Sequence, residues 1–480
     1  MASIVIQNCN QCVLDLPLKV SNELYNKFQV RHPNAFYLMR KIPDWDGKVK
    51  FINKRGVFKI GLLPSVVKEC NNMGIKPKII DLRKEVIRVN KPVKKIGKYK
   101  LRPEQVNAIA SVLNNRVGKV PFYIGVLDLT VNFGKSLCIA ALYYSFKKNL
   151  KTLVITQDAD WLDQAKSEFK QYVPDEDITF IQGSNVKNWS NFSIGMVQSI
   201  SRNIKKYQSE LSKIDMVLVD EADLAGNKSY QSVLTHLYNT RVRIGLSGTI
   251  YMSKLYKDKL KNMNLEAFFG PRLSEFRLKE SIDKGYSTNT IVKIVPSKPY
   301  YGKWVSKEQT YKEIYDDTIT NNKRAYKMVY DRLKFNLSYG RIPALIVCKY
   351  INHCENLYKY LKEKLESNLN ISYVHVNTQS KLRKNIMKDF RDGKIDILIS
   401  TTIISRGKNF PLLRYMINAA SMDSQEKTIQ FLGRLVRTHK SKSKVYLDDL
   451  HYDGDYLTRH SNHRAAYYRK EKLKVIVLKK

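Results

Sequence analysis

The sequence has few acidic residues for its content of basic ones. Asp and Glu number 44 against 84 Lys and Arg, which gives a formal net charge of +40 over 480 residues. A globular chain of this charge repels itself, so a polyanionic partner explains the composition better than a merely lysine-rich surface does. The basic residues are spread along the chain, which indicates that the partner is not bound by one charged tail alone.

Cysteine is also scarce, and its scarcity fits a reducing compartment. The six cysteines are Cys9, Cys12, Cys70, Cys138, Cys348 and Cys354. Cys9 and Cys12 have the spacing of half a zinc site, but no second pair of Cys or His residues completes it. We therefore expect both to be small buried residues, and we expect no zinc site.

Long apolar runs are missing as well. No apolar run approaches the roughly 20 residues that cross a bilayer. The first ten residues, MASIVIQNCN, lack the charged start and the following apolar stretch of a secretory signal. We expect a soluble, cytoplasmic protein without membrane contact.

Short apolar runs alternate with helical patterns from Gly125 to Thr249, and the alternation restarts at Ala344. The first series contains FYIGVLDL, TLVIT, FSIGM and IDMVLVDEAD, with helical stretches such as WLDQAKSEFKQY between them. The second contains ALIVCKY, ISYVHV, DILIST and YMINAA. This alternation predicts parallel sheets covered by helices, hence an α/β fold with two tandem parallel-sheet domains.

The length favours about three domains, and composition suggests four segments. We predict a small α+β N-terminal domain (1–92), a first parallel-sheet domain (93–275), a second parallel-sheet domain (276–450) and a basic C-terminal extension (451–480). Asp46-Gly47 is a predicted hairpin turn, and a connecting strand is predicted within Leu278–Tyr300. The extension interleaves basic and aromatic residues in HRAAYYRKEKLK, which fits either a DNA contact or a solvated helix end.

The stretch DLTVNFGKSL resembles the end of a phosphate-binding loop. It follows an apolar strand and precedes a helical pattern, which is the context that such a loop requires. Gly134 belongs to the turn that cradles phosphate, Lys135 is predicted to bind the β- and γ-phosphates of ATP, and Ser136 is predicted to bind Mg²⁺.

The first half of this loop departs from the motif. Leu129 stands where the motif has its first glycine. Asn132 can take the left-handed backbone conformation that a glycine would supply. We predict a working ATP site with a relaxed first half, and we include Asn132 among the nucleotide-binding residues.

The stretch VLVDEAD is an apolar strand that ends in two carboxylates. A carboxylate at the carboxyl end of a strand can hold Mg²⁺, and we predict this role for Asp220. Glu221 is predicted to orient or deprotonate the attacking water. An exposed acidic turn is the alternative, and an acidic cluster in this position of so basic a chain disfavours it.

Two weaker signals come later in the chain. In LSGT, Ser247 and Thr249 follow another strand and are candidates for coupling hydrolysis to movement. In QFLGRLVR, Gln430 is a further catalytic candidate, and Arg434 and Arg437 lie three residues apart on a predicted helix, so both should face the same side. Such guanidiniums could contact the γ-phosphate as arginine fingers.

These four motifs occur in the order found in superfamily 2 helicases, and the chain resembles that family. The resemblance implies two RecA-like domains with ATP in the cleft between them. LRPEQ looks like the adenine-reading Q-motif region, with Arg102 and Gln105. VITQDADWLDQ and GMVQSI look like the DNA-contacting motifs Ia and Ib, and LIVCKY like motif IV. ILISTTIISRGKNFP looks like motif V, with Gly407 at its turn and Asn409 where the family often has Asp.

Over nearly the whole chain the resemblance is to UvsW-like phage DNA helicases. Three stretches carry this resemblance: WDGKVKFINKRGVFKIGLLPSVVKEC, LKESIDKGYSTNTIVKI and VYLDDLHYDG. It implies an ATP- and Mg²⁺-dependent translocase on branched or partly single-stranded DNA, without sequence preference. Such enzymes migrate Holliday junctions, regress forks and unwind R-loops or D-loops during recombination, repair and replication. They could bind RNA where it forms a hybrid with DNA. For a phage protein, the compartment would be the host cytoplasm.

Other interpretations of the same motifs stay open. The DEAD tetrapeptide suggests an RNA helicase, although Gln430 at the start of the last motif and the missing proline-rich Q motif favour DNA translocases. An RNA helicase or transcript-release ATPase would use the same motor. A non-catalytic DNA-binding or annealing protein would carry a degenerate loop. Trp45 could stack on a base or pack locally.

Overall fold

The computed structural model describes residues 2–83, 87, 89–146, 150–184, 186–250, 256–297, 310–405 and 410–479. The chain divides into two compact units, Met1–Phe276 and Arg277–Lys480, and each is described by itself. Within the described ranges, no helix combines the length and the apolar character that crossing a membrane requires.

The first unit begins with short strands and continues with longer buried ones. Its strands are β1 (Ser3–Ile6), β2 (Gln11–Asp15), β3 (Gln29–Arg31), β4 (Lys48–Lys50), β5 (Val57–Lys59), β6 (Lys78–Asp81), β7 (Lys95–Ile96), β8 (Tyr99–Lys100), β9 (Arg116–Val117), β10 (Val120–Pro121), β11 (Ile124–Leu129), β12 (Thr152–Thr156), β13 (Ile178–Ile181), β14 (Phe192–Met196), β15 (Met216–Asp220), β16 (Val242–Ser247) and β17 (Arg272–Phe276). Its α-helices are α1 (Leu18–Lys27), α2 (Ala35–Met39), α3 (Leu63–Asn72), α4 (Pro103–Leu113), α5 (Lys135–Ser145), α6 (Ala159–Tyr172), α7 (Val197–Arg202), α8 (Ile204–Ser212), α9 (Lys228–Thr235) and α10 (Tyr256–Phe269).

The N-terminal part of this unit is a small α+β layer. Its four-stranded sheet has the order β5-β2-β1-β6, in which β1 is antiparallel to β2 and parallel to β6. Its apolar core includes Ile4 and Phe58 and continues into Phe122, Ile124 and Ala267 of the segments that follow. The N-terminal layer therefore shares one core with the edge of the next sheet.

The turn at Asp46-Gly47 has the predicted left-handed glycine, with φ of 72° at Gly47. However, β4 pairs with β3, and the connection between them runs over residues 32–47 and contains α2. The tight hairpin predicted here is therefore wrong. Trp45 is half-buried, and its Nε1 donates to the carbonyl oxygen of Lys48 at 3.0 Å, so it packs locally.

The first large sheet has seven strands among the described residues, in the order β13-β14-β12-β15-β16-β11-β17. All of its neighbouring pairs are parallel. Every residue of β11, β12, β15 and β16 is buried. Continuous apolar strands of this kind are stable only when helices cover the sheet, which explains the alternating pattern in the sequence.

The second unit repeats this architecture. Its strands are β18 (Asn289–Pro296), β19 (Ala344–Val347), β20 (Ile371–Val374), β21 (Ile397–Ser400), β22 (Tyr415–Asn418), β23 (Lys444–His451) and β24 (Val475–Val477). Its α-helices are α11 (Leu278–Asp283), α12 (Tyr311–Tyr315), α13 (Lys323–Leu337), α14 (Ile351–Lys364), α15 (Ser380–Arg391), α16 (Gln425–Leu435) and α17 (Asp455–Lys470). The strand order is β20-β21-β19-β22-β23-β18-β24, and the pairs are again parallel.

The two large sheets have the same topology. When the strands of each described sheet are numbered one to seven along the chain, both read 3-4-2-5-6-1-7. The predicted α/β fold, with two tandem RecA-like parallel-sheet domains and a small α+β N-terminal part, is confirmed. The domain limits at residues 92, 275 and 450 stay predictions.

Two segments predicted to be peripheral are built into the second sheet. The predicted connecting strand is β18, which lies between β23 and β24. Residues 451–480 supply α17 and the edge strand β24. Arg464 of α17 is fully buried and forms an ion pair with Asp449 at 2.7 Å, and the hydroxyl of Tyr468 donates to the same carboxylate at 2.7 Å. These two side chains therefore hold the helix in place and cannot contact a nucleic acid.

All six cysteines are buried, and none forms a disulfide. In the described part of the chain, no cluster of three or more His, Cys, Asp or Glu side chains could hold a metal ion by itself. The expectation that Cys9 and Cys12 are small buried residues is confirmed.

Candidate active site

The candidate site lies at the carboxyl edge of the first sheet. Three neighbouring strands end there: β11 at Leu129, β15 at Asp220 and β16 at Ser247. Because parallel strands present their carboxyl ends at one edge, the loops that follow them meet. Gly248 lies so close to the first loop that an added Cβ would be 2.9 Å from the Leu129 carbonyl oxygen.

The loop after β11 has the backbone that the sequence predicts. Asn132 takes a left-handed conformation with φ of 65°, and Gly134 has φ of 86° and caps α5. Leu129, which replaces the motif's first glycine, is the last residue of β11 and is fully buried. The residue that departs from the motif, Leu129, therefore belongs to the strand, and the turn that follows keeps its left-handed residues.

Arg102 and Gln105 hold this loop from the start of α4. The backbone N–H of Arg102 donates to Gln105 Oε1 at 2.8 Å, and Gln105 Nε2 donates to the carbonyl oxygen of Phe133 at 2.8 Å. Arg102 Nη1 donates to the carbonyl oxygen of Asn132 at 3.2 Å. The pair thus positions the loop backbone, whereas its predicted contact with adenine stays a prediction.

Lys135 opens α5, and its side chain turns back over the loop. Its Nζ donates to the carbonyl oxygens of Leu129 at 3.2 Å and Thr130 at 3.5 Å. These are weak neutral acceptors for an ammonium group, and a phosphate oxygen would be a stronger one. Ser136 follows in the first turn of α5 and is half-buried.

Asp220 supplies the negative charge at this edge. Burial raises the pKa of its carboxyl to about 6, and the nearby Lys135 charge acts in the opposite direction. Its Oδ1 is buried and has no hydrogen-bond partner among the described residues. An unpartnered carboxylate oxygen is a suitable ligand for a hard cation such as Mg²⁺, so Asp220, with Ser136 and Lys135, fits Mg²⁺ and a polyphosphate.

Glu221 has a left-handed backbone with φ of 55°, so it turns away from the line of β15 directly after Asp220. Ser247 and Thr249 also lie at this edge, and their hydroxyl oxygens are 3.1 Å apart. The geometry therefore brings together every first-unit residue that the sequence predicted. Their catalytic and coupling roles stay predictions.

Asp223 and Asp158 were missed as functional candidates. Asp223, the last residue of DEAD, is buried, and its Oδ1 accepts from the Ser247 hydroxyl at 2.8 Å. Asp158 accepts from the backbone N–H of Asp160 at 2.9 Å at the start of α6, and its charge contributes to the raised pKa of Asp220. The Asp after a strand and before a helical pattern was a usable signal for Asp158.

The remaining candidates belong to the second unit. Gln430 and Arg434 lie on α16, and both are half-buried. The helix ends at Leu435, so the prediction that Arg437 shares the helix with Arg434 is wrong. Gly407, like Asn409, lies outside the described residues.

Contacts from distant segments explain why α16 ends early. Thr288 donates its backbone N–H to the carbonyl oxygen of Val436 at 2.8 Å and its hydroxyl to that of Arg437 at 3.1 Å. Lys442 Nζ donates to the carbonyl oxygen of Leu435 at 3.1 Å. These donors satisfy carbonyl groups that another helical turn would otherwise use.

Comparisons with known proteins agree with this architecture. A family model described as the Helicase conserved C-terminal domain matches residues 327–439, and one described as the Type III restriction enzyme, res subunit, matches residues 98–252. The ATP-dependent DNA helicase uvsW of Enterobacteria phage T4 is 25% identical over 431 residues, which cover 85% of this chain and 82% of that protein.

Solved structures show the same fold. The ATP-dependent Type ISP restriction-modification enzyme LlaBIII bound to DNA gives a TM-score of 0.57 at 14% identity, over 86% of this chain and 34% of that one. Mss116p bound to ssRNA and AMP-PNP gives a TM-score of 0.53 at 14% identity, over 79% of this chain and 75% of that one. The chain therefore belongs to the ATP-dependent superfamily 2 helicases, and among them it resembles UvsW.

Proposed function

We propose that this helicase is an ATP-dependent translocase on branched DNA that migrates junctions, regresses forks and unwinds R-loops or D-loops. The observation that carries the proposal is the proximity of two groups: Lys135, whose Nζ donates to loop carbonyls, and Asp220, whose buried Oδ1 has no hydrogen-bond partner among the described residues. The choice of DNA is supported by the similarity to a phage DNA helicase over 85% of the chain. The net charge of +40 suits either nucleic acid.

Six first-unit residues have a defined task in this proposal. The backbone N–H groups at the start of α5 and the ammonium group of Lys135 bind the phosphates of ATP. Ser136 and Asp220 hold Mg²⁺, which would neutralise charge on the β- and γ-phosphates. Glu221 orients the attacking water and accepts its proton. Asp223 and Ser247 link this acidic turn to the segment after β16.

In the second unit, Gln430, Arg434 and Arg437 are proposed to act at the γ-phosphate of ATP. Their assignment to the γ-phosphate is supported by the motif order and by the family match over residues 327–439. Two guanidiniums near a transferring phosphoryl group would stabilise its charge. The N-terminal layer is the proposed grip on duplex arms, and the host cytoplasm is the proposed compartment.

Steady-state ATP hydrolysis with different nucleic acids tests the proposal. The rate is measured without nucleic acid, with single-stranded DNA, with a four-way DNA junction and with single-stranded RNA, and Lys135→Ala is the inactive control. We expect the strongest stimulation by the junction and loss of about 100-fold or more in kcat for the variant.

The other outcomes identify the alternatives. Stronger stimulation by RNA than by any DNA would make the chain an RNA helicase or transcript-release ATPase. Hydrolysis that is absent on every substrate, with DNA still bound, would make it a binding or annealing protein. Junction-stimulated hydrolysis without strand displacement of a labelled arm would limit the activity to translocation.

A further inference from the structure

A cavity lies between the N-terminal layer and the first large sheet, away from the candidate active site. It has a volume of about 270 Å³, and its lining includes Asn8, Asn10, Gln11, Lys59, Arg243 and Phe268. Arg243 is the second residue of β16, whereas Ser247 at the active-site edge is the last. Four residue-to-residue steps along the strand, or roughly 13 Å, separate Arg243 from Ser247.

Two cations of this cavity have no acidic partner among the described residues. Arg243 is 1% exposed, and it donates to the carbonyl oxygens of Leu237 at 2.6 Å and Thr240 at 3.2 Å and to the side-chain oxygen of Asn10. Lys59 Nζ lies 3.3 Å from the centroid of the Phe268 ring. In the described part of the chain, no carboxylate forms an ion pair with either cation.

The surroundings add more positive than negative charge. Burial, and then the Arg243 charge, lowers the pKa of Lys59 to about 8, and burial lowers the pKa of Arg243 to about 10. The other titratable or charged groups near these two are Cys9, Arg83, Arg241, Tyr238 and, paired with Arg83, Asp81. Buried cations without counter-ions cost free energy unless an anion accompanies them.

We propose that this cavity binds a phosphate group, held by Lys59 Nζ and the Arg243 guanidinium. Asn10 already donates its side-chain N–H to the Thr235 carbonyl oxygen at 3.1 Å, so the amides of Asn8 and the exposed Gln11 are the additional donors. A bound phosphate compensates both cations in a largely buried setting, where charge-assisted hydrogen bonds are strong. The phosphate comes either from a nucleic-acid backbone or from free phosphate, because both present the same oxygens.

Inorganic phosphate is the first probe, and the melting temperature of the full chain is the readout. Phosphate should raise Tm above the value in sodium chloride of equal ionic strength. In Lys59→Met, which keeps an apolar side chain against Phe268, phosphate affinity should fall about tenfold or more. Without phosphate this variant should melt at the same temperature or higher, because it removes a half-buried charge that has no carboxylate partner among the described residues. The exposed Lys54→Met is the matched control and should behave as the wild type.

Duplex DNA distinguishes the two sources. If Lys59→Met and the surface variant Gln11→Ala also weaken the binding of a short duplex, the ligand is a backbone phosphate. If they weaken only inorganic phosphate, it is free phosphate. The proposal is overturned if phosphate adds nothing to the effect of ionic strength on the wild type, or if Lys59→Met lowers Tm and leaves the phosphate response intact. DNA-free ATP hydrolysis should be unchanged in both variants, so failure of the phosphate site can be distinguished from failure of the proposed ATPase.

Discussion

The two large sheets share one topology but differ in charge at the same position of the fifth strand. In the first sheet this strand ends in Asp220, whose Oδ1 is buried and has no partner among the described residues. In the second it ends in Asn418, whose amide donates to Asp449 at 2.9 Å, and Asp449 pairs with Arg464. The first edge has a buried carboxylate oxygen without a partner among the described residues, and the second edge satisfies its carboxylate internally.

The comparison shows that topology alone does not make a site. Both sheets bring the ends of their fifth and sixth strands to one edge. In the first sheet, the loop after the first strand has left-handed backbone at Asn132 and Gly134. Function depends on the residues at these ends.

The largest effect is expected when Asp220 of the first sheet is replaced by Asn, the residue at the matching position of the second sheet. Asp220→Asn should lower kcat for ATP hydrolysis by about 1000-fold, because a neutral amide binds Mg²⁺ poorly. The free energy of unfolding should stay equal or rise, since burial raises the pKa of Asp220 and makes its ionised form costly. Asp177→Asn, an exposed residue just before β13, is the control for both measurements. A variant that hydrolyses ATP normally would refute the comparison.

The reverse exchange should damage stability. Asn418→Asp places a second buried carboxylate beside Asp449 and removes a hydrogen bond, which should cost about 3 kcal/mol of unfolding free energy. Urea denaturation measures this cost, and Asn462→Asp on the exposed surface of α17 is the control. Equal stability of the two variants would mean that the second edge tolerates charge as the first does.

A smaller effect is expected when the hydrogen bond from Gln105 to the phosphate-binding loop is removed. Gln105→Ala removes the hydrogen bond to Phe133, so KM for ATP should rise about tenfold, with a smaller change in kcat. Initial rates over a range of ATP concentrations measure both constants. Gln208→Ala, on the exposed face of α8, should leave them unchanged, and an equal result for the two variants would show that Gln105 does not hold the loop.

The smallest expected effect is the pH dependence of phosphate binding and of stability at Lys59, in the cavity at the opposite edge of the first sheet. Lys59 has its pKa lowered from 10.5 to about 8 in the folded chain, and phosphate requires its charged form. Phosphate affinity should therefore fall as pH rises through about 8. Without phosphate, the contribution of Lys59 to stability should increase between about pH 8 and 10.5, because the unfolded chain then holds the extra proton.

Calorimetry at several pH values measures the binding, and thermal unfolding measures the stability. The difference between the wild type and Lys59→Met isolates this group, since burial also lowers the pKa of Lys349 and Lys442 to about 8. The same pH dependence in both proteins would assign it to another group.

Local rules predicted the parts of the molecule that local chemistry controls. Strands such as β12 and β15 followed from apolar runs, and the turn at Asn132 followed from the tolerance of Asn for left-handed backbone. The carboxylate at the end of β15 was recognisable because an apolar run stopped at Asp220. Each of these features depends on residues that are neighbours in sequence.

Long-range contacts decided the features that were missed or wrong. α16 ends before Arg437, where donors from distant segments bind the carbonyl groups that a longer helix would use: Lys442 binds that of Leu435, and Thr288 binds that of Arg437. Asp223 joins Ser247 only when β15 and β16 pair, and no spacing in the sequence reveals that contact.

By itself, the sequence determined the order of strands and helices, the phosphate-binding turn and the excess of positive charge, because propensity, hydrophobic periodicity and composition are properties of short segments. Only the tertiary structure decided that residues 451–480 complete the second sheet, that Arg102 and Gln105 support the loop, and that Lys59 and Arg243 share a cavity. These outcomes depend on which distant segments meet and on how deeply each charge is buried, and both are set by packing.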